Sequence, residues 1–115
     1  MLSSGDVVDL DLGSPQGREA GFVHPAVVVT AQRVLDSEPS VVQVVPLTST
    51  MRGFGSEVTI EPDQANGLTL TSAAQCQHIR AVSTARVQAV RGNTGPIALT
   101  QIRETLAVLI DLSAT

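Results

Sequence analysis

The sequence predicts a mainly β fold with one helix: a small, twisted, partly closed antiparallel sheet, covered on one face by a C-terminal amphipathic helix. Three observations carry this. Residues 5–12 (GDVVDLDL) and 57–62 (EVTIEP) alternate with period two. Short β-branched runs, PAVVVTA at 25–31 and VVQVVPLTS at 41–49, recur between glycine and proline punctuation. Past Gly95 the period changes, and Leu99, Ile102, Leu106, Leu109 and Ile110 fall at helical spacing.

The elements follow in order. In the first strand Val8, Leu10 and Leu12 share one face, and Val7, Asp9 and Asp11 the other, as in a half-buried strand. GSPQGREAGFVH, with three glycines and a proline, reads as a long loop. PAVVVTA is a strand, and QRVLDSEPS a turn or a single helical turn. VVQVVPLTS is nearly continuous apolar text, hence a central strand, and Pro46 implies an edge or a bulge near its end. TMRGFGS is a glycine loop, EVTIEP a strand with Val58 and Ile60 inward, and DQANG a turn. SAAQCQHIRAV and ARVQAVRG read as two further strands joined by a short turn. Pro96 suits the first position of a helix over about residues 96–111, where its missing N–H costs nothing.

Composition narrows the function classes. The 115 residues suit one domain, 1–115, with a real core. Hydrophobic residues at 43% against 16% charged mark a globular chain. No apolar run reaches the ~20 residues that span a bilayer. MLSSGDVVDLD is acidic within six residues, unlike a signal peptide. The lone Cys76 makes no internal disulfide, so a reduced, cytoplasmic setting is expected. Net charge is −4, and all seven basic residues are arginines. Such a chain is no general nucleic-acid binder, though a local arginine cluster is compatible with it. Phe22 and Phe54 are the only aromatic residues, so stacking platforms are few.

Six segments then stand in a recognisable order: GDVVDLDLG, GREAGFVHPAVVV, VVPLTST, RGFGSEVTI, QCQHIRAV and a helix ending IDL. Together they resemble the MazF/PemK toxins, over essentially the whole chain and with similar spacing. The resemblance implies an SH3-like or CcdB-like small antiparallel barrel with a C-terminal helix. It implies a metal-independent, cofactor-free endoribonuclease that cuts single-stranded RNA at a short sequence, limits growth, forms a homodimer and is neutralised by a cognate antitoxin.

The family pattern around the second segment is roughly G-S-E-x-G-x-x-R-P-x-V-V. Gly17, Glu19, Gly21, Pro25 and the valines fit it, whereas Arg18 stands for the serine and His24 for the catalytic arginine. Thr48 matches the second catalytic residue. The resemblance thus implies a catalytic group of His24, Thr48 and Arg18, with Arg18 restoring the lost permanent charge. It implies RNA contacts from Glu19, Ser49, Arg52, Phe54, Gln77, His78 and Arg80, where Gln77–Arg80 match a family run E-Q-I-R or D-Q-I-R. An imidazole can take the 2′-hydroxyl proton or protonate the 5′-oxygen better than a guanidinium can, but carries charge only when protonated.

The residues alone leave plainer readings open. His24 can be a hydrogen-bonding residue at a strand entry, Arg18 a solvated loop arginine, and Thr48 and Ser49 strand-end hydroxyls. Gln77, His78 and Arg80 can be exposed strand residues, and Phe54 a loop anchor. Cys76, His78 and His24 lack the paired spacing and fourth ligand of a zinc site. Two other functions stay in view: a degenerate toxin that only binds antitoxin, and a CcdB-like gyrase poison. The ending LSAT lacks the aromatic tail associated with the second.

Overall fold

The computed structural model describes residues 1–13 and 23–112. Seven strands form one antiparallel sheet: β1 (Asp6–Asp11), β2 (Val23–Val28), β3 (Val41–Thr48), β4 (Glu57–Ile60), β5 (Ser72–Gln75), β6 (Arg80–Ser83) and β7 (Val87–Asn93). Two helices join them, α1 (Gln32–Leu35) between β2 and β3, and α2 (Gly95–Leu109) at the end. The pairing path runs β4-β5-β3-β2-β1-β7, and β6 also pairs with β3. Among the described residues no strand pairing closes this path, so the barrel implied by the resemblance is partly closed, a curled sheet.

The curl creates two cores. Val7, Val27, Val45, Leu47, Val58, Ile60 and Ala74 pack beneath α2, which contributes Leu99 and Ile102, with Leu106 partly buried against them. Val8, Leu10, Ala26, Val28, Val42, Val44 and Val82 form the second cluster, where Leu35 of α1 is the helical contribution. Val82 of β6 and Val87 of β7 both border that cluster from separate edges of the sheet. The sheet therefore buries this face largely against itself.

Strand β1 corrects the expectation of a half-buried strand. Val7 and Val8 are both fully buried, one in each cluster. A strand between two cores has no solvent face, and alternation persists only from Asp9 onward. Helix α2 matches its expected start, with Pro96 in its first turn and Gly95 at φ +84. Backbone bonds fasten that start to the head of β1: Thr94 N–H donates to the Gly5 carbonyl at 2.9 Å. Leu109 and Ile110 depart from the expected packing face, being 46% and 69% exposed, because α2 outruns the core beneath it.

SAAQCQHIRAV is not one strand. A 3-10 turn at Cys76–His78 separates β5 from β6, and a second at Thr84–Arg86 leads into β7. The first turn lies against Pro46. Val44 pairs with Arg80 and Leu47 with Ala74, so Val45 and Pro46 of β3 face the segment Gln75 to Ile79 that joins β5 to β6. The surplus residues are taken up in the turn. Proline gives no ladder hydrogen bond, so a central strand tolerates it at such an interruption.

The turn before β5 is braced against β7. Asn66 is buried: its Oδ1 accepts from the Asp63 and Leu68 N–H groups, and its Nδ2 donates to the Glu61 carbonyl at 2.8 Å. Asn93 N–H donates to the Ala65 carbonyl at 2.8 Å. The approach is close enough that a Cβ on Gly92 would overlap the Ala65 carbonyl oxygen. A Gly92→Ala variant should therefore lose about 2–3 kcal/mol of stability in chemical denaturation, as overpacking against rigid backbone does. Gly55→Ala meets no atom within 4 Å and should stay within about 0.5 kcal/mol of the parent. Equal midpoints for the two variants would refute the brace.

Candidate active site

The strand registers decide which side chains share the open end of the sheet. β2 and β3 pair Ala26 with Pro46 and Val28 with Val44. Continued outward by two residues on each strand, that register sets His24 opposite Thr48. His24 also pairs with Leu10 of β1, and Thr48 with Ala73 of β5. His24 and Thr48 thus meet at one open face beyond the last β2–β3 pair. Thr48 Oγ1 accepts the Thr50 N–H at 3.1 Å, which leaves its own proton to donate elsewhere.

That face opens into a hollow of about 400 Å³. Leu10, Leu12, Pro46 and Leu47 supply its apolar lining, and His24, Thr48, Gln75, His78 and Arg80 its polar one. No carboxylate is among these described lining residues. The interruption at Pro46 matters here. The 3-10 turn sends Cys76 into the core and brings His78 to the hollow beside Arg80. Strand parity would have put His78 and Arg80 on one face; the turn brings them to the same hollow by another route. Gln77 lines neither this hollow nor its neighbour, and its Oε1 is buried. Gln75, which the sequence did not single out, takes a place in the lining.

A second depression of about 340 Å³ shares His24, Leu47 and Thr48 with the first. Ser49, Ser72 and Arg91 add polar groups to it. Arg91 Nε meets Asp9 Oδ1 at 2.8 Å, from β7 to β1. That contact holds the guanidinium at the edge of the depression it helps to line. Nothing in the sequence pattern marks Arg91, because its partner strand is the first in the chain.

The glycine loop at 50–56 is held by one carboxylate. Glu57 Oε1 accepts the N–H groups of Arg52, Gly53 and Phe54 at 3.1, 2.9 and 3.3 Å. The loop then presents Arg52 and a Phe54 side chain that is 54% exposed. Glu57 pairs with Gln75 across β4 and β5, so the loop is anchored beside the hollow. Arg18 and Glu19 lie outside the described residues. Cys76 is fully buried, and burial pushes its thiol pKa up, which keeps it protonated and inert.

Comparisons with known proteins agree with this architecture. A family model described as "PemK-like, MazF-like toxin of type II toxin-antitoxin system" matches residues 3–110. Endoribonuclease MazF9 of Mycobacterium tuberculosis (strain ATCC 25618 / H37Rv) is 29% identical over 116 residues, spanning 97% of this chain and 98% of the relative. A chain of the MazE-MazF crystal structure (Form-II) from Deinococcus radiodurans superposes with a TM-score of 0.79 at 23% identity, covering 97% of each chain. An endoribonuclease in complex with its cognate antitoxin from Mycobacterial species gives 0.79 at 21% identity, covering 100% of each. Structural likeness at these identities speaks for the fold, and the sequence-family match over residues 3–110 speaks for descent: the chain belongs to the PemK-like, MazF-like toxins of type II toxin–antitoxin systems.

Proposed function

We propose that this chain, as a single domain, is a cytoplasmic endoribonuclease toxin that cuts single-stranded RNA at a short sequence without metal and is neutralised by a cognate antitoxin. One observation carries the reading: in a chain of this family, one hollow gathers an imidazole, a hydroxyl and a guanidinium. Transesterification of RNA needs those three kinds of group. A base takes the 2′-hydroxyl proton, an acid protonates the departing 5′-oxygen, and cationic or N–H/O–H donors stabilise the charge gathering on the phosphorane oxygens.

His24 is a proton-transfer group, Thr48 a hydroxyl donor to a phosphoryl oxygen, and Arg80 the permanent cation. Arg18 adds charge from the preceding loop, and Glu19 contacts the RNA from there. Arg52, Phe54 and Ser49 meet the flanking nucleotides, and Gln77 acts from behind His78. Phe54 offers the stacking face that a sequence-selective groove needs, and the Glu57 clamp holds it in place at little entropic cost. Relatives in complex with their antitoxins support an antitoxin partner, and its segment is proposed to cover the groove floored by Thr48 and Arg80. Among the described residues no helix is long and apolar enough to cross a membrane.

The test of the activity is cleavage of a long RNA by the purified protein, with 5′-hydroxyl ends mapped. His24→Ala should slow it by about 10²–10⁴-fold, the usual weight of a general acid or base. Thr48→Ala should weaken it while circular dichroism stays unchanged. His24→Arg should recover cutting and lose one limb of the pH profile, since a guanidinium stays charged across the neutral range. A parent that leaves RNA intact yet binds its antitoxin is the degenerate toxin; one that inhibits supercoiling is the gyrase poison.

A homodimer is part of the same proposal. Ile97, Val108, Ile110 and Leu112 are 77%, 80%, 69% and 65% exposed on and just beyond α2. Apolar side chains left outside by a small domain are natural material for a two-fold interface. Light scattering at micromolar concentration should give twice the chain mass, and Val108→Glu with Ile110→Glu should shift it to the monomer. A parent that is already monomeric refutes this.

A further inference from the structure

We infer that His78 is the second proton-transfer group of this site, so that cleavage runs on a pair of imidazoles, His24 and His78, with Arg80 as the fixed charge between reactant and product. The inference rests on the endoribonuclease reading above. It starts from a coincidence of placement. The chain has two histidines, far apart in sequence, and both line the same hollow. They come from different elements. His24 is held in β2 by its register with Leu10. His78 is delivered by the 3-10 turn at the interruption beside Pro46.

The reaction has two proton transfers, and each needs its own group. One imidazole, neutral, removes the proton from the 2′-hydroxyl. The 2′-oxygen then bonds to phosphorus as the bond from phosphorus to the 5′-oxygen breaks. The other imidazole, protonated, gives its proton to that 5′-oxygen. The products are a 2′,3′-cyclic phosphate and a 5′-hydroxyl, with no water consumed. At the end each imidazole has exchanged protonation state with the other, and solvent resets both. His78 is exposed, which suits that exchange.

Among the described residues, the lining favours the histidines for these roles. The titratable or charged groups there that face the hollow are His24 from β2, His78 from the turn and Arg80 from β6. The strands β1, β3 and β5 contribute Leu10, Pro46, Leu47, Thr48 and Gln75, and none of these ionises near neutral pH. Leu12, just beyond β1, is equally inert. A guanidinium such as that of Arg80 is a poorer proton carrier than either imidazole. Its part is electrostatic, against the non-bridging oxygens. A site with a permanent arginine in place of His24 would have a different division of labour; here the second imidazole balances the first.

The experiment uses two substitutions, His24→Gln and His78→Gln, and two substrates. One substrate is ordinary RNA. The other carries sulfur in place of the bridging 5′-oxygen at the cut, and a thiolate departs without being protonated. On ordinary RNA both variants should be slower by about 10²–10⁴-fold in kcat, with KM little changed. The parent should show a bell-shaped pH profile, and each variant should lose one limb of it. On the sulfur substrate one variant should return to within about tenfold of the parent, because the acid is no longer needed. That variant marks the acid, and the one that stays slow marks the base. If His78→Gln cuts ordinary RNA at the parental rate, or if both variants are equally slow on both substrates, the pair is refuted and His78 only holds RNA. If the parent cuts no RNA at all, the endoribonuclease reading itself fails, which is a separate result.

Discussion

Strand β3 is shared by three neighbours, and Pro46 is where the sharing is interrupted. β2 pairs along one edge of β3, while β6 and β5 pair along the other at different registers. The slack between those two registers must go somewhere. It goes into the 3-10 turn at Cys76–His78, which buries a thiol on one side and delivers an imidazole on the other. Without the break, β5 and β6 would continue as one strand, and the His78–Arg80 pair would run straight past the open end of the sheet. The hollow exists because the partner strand is broken there. The position of His78 follows from this break, whereas His24 is placed by the register of β2 with β1.

The two cores explain what could be read in the sequence and what could not. Helix α2 was legible because one face of it meets one core, and the helical period of Leu99, Ile102 and Leu106 records that. β4 was legible for the same reason, with Val58 and Ile60 inward. β1 misled because alternation reports a strand with one wet face, whereas Val7 and Val8 each meet a different core. Leu109 and Ile110 keep the helical spacing but lie beyond the core that would bury them. Periodicity states which side chains share a face. It does not state whether another layer covers that face.

The site was legible to the extent that it follows strand register. His24 and Thr48 sit at matching distances from the Ala26–Pro46 pair, so a correct pairing of two strands brings them together. Gln77 and His78 follow no such rule, because a 3-10 turn resets the alternation between them and β5. Arg91 and Asp9 illustrate a different limit. Their ion pair joins the last strand to the first, and neither residue carries a local pattern that announces the other. Glu57 is of a third kind. It looks like one more charge on an alternating strand, yet one of its oxygens gathers three backbone N–H groups and shapes the loop before it.

Charge on this chain is therefore used locally rather than as a field. A net charge of −4 offers RNA no long-range attraction, and no lysine supplies a diffuse basic surface. What remains is a small number of arginines at fixed posts: Arg80 at the first hollow, Arg91 at the second, Arg52 on the clamped loop. Guanidinium suits such posts because its planar fork loses little freedom on meeting a phosphate. Binding then depends on matching the groove, not on total charge, and that favours selection of a sequence over capture of any strand. The same economy bears on His24. A permanent cation at that position would strengthen phosphate binding before and after the chemical step alike. In the proposed mechanism an imidazole would trade some of that uniform attraction for a proton transfer made only in the transition state, and only the latter raises kcat.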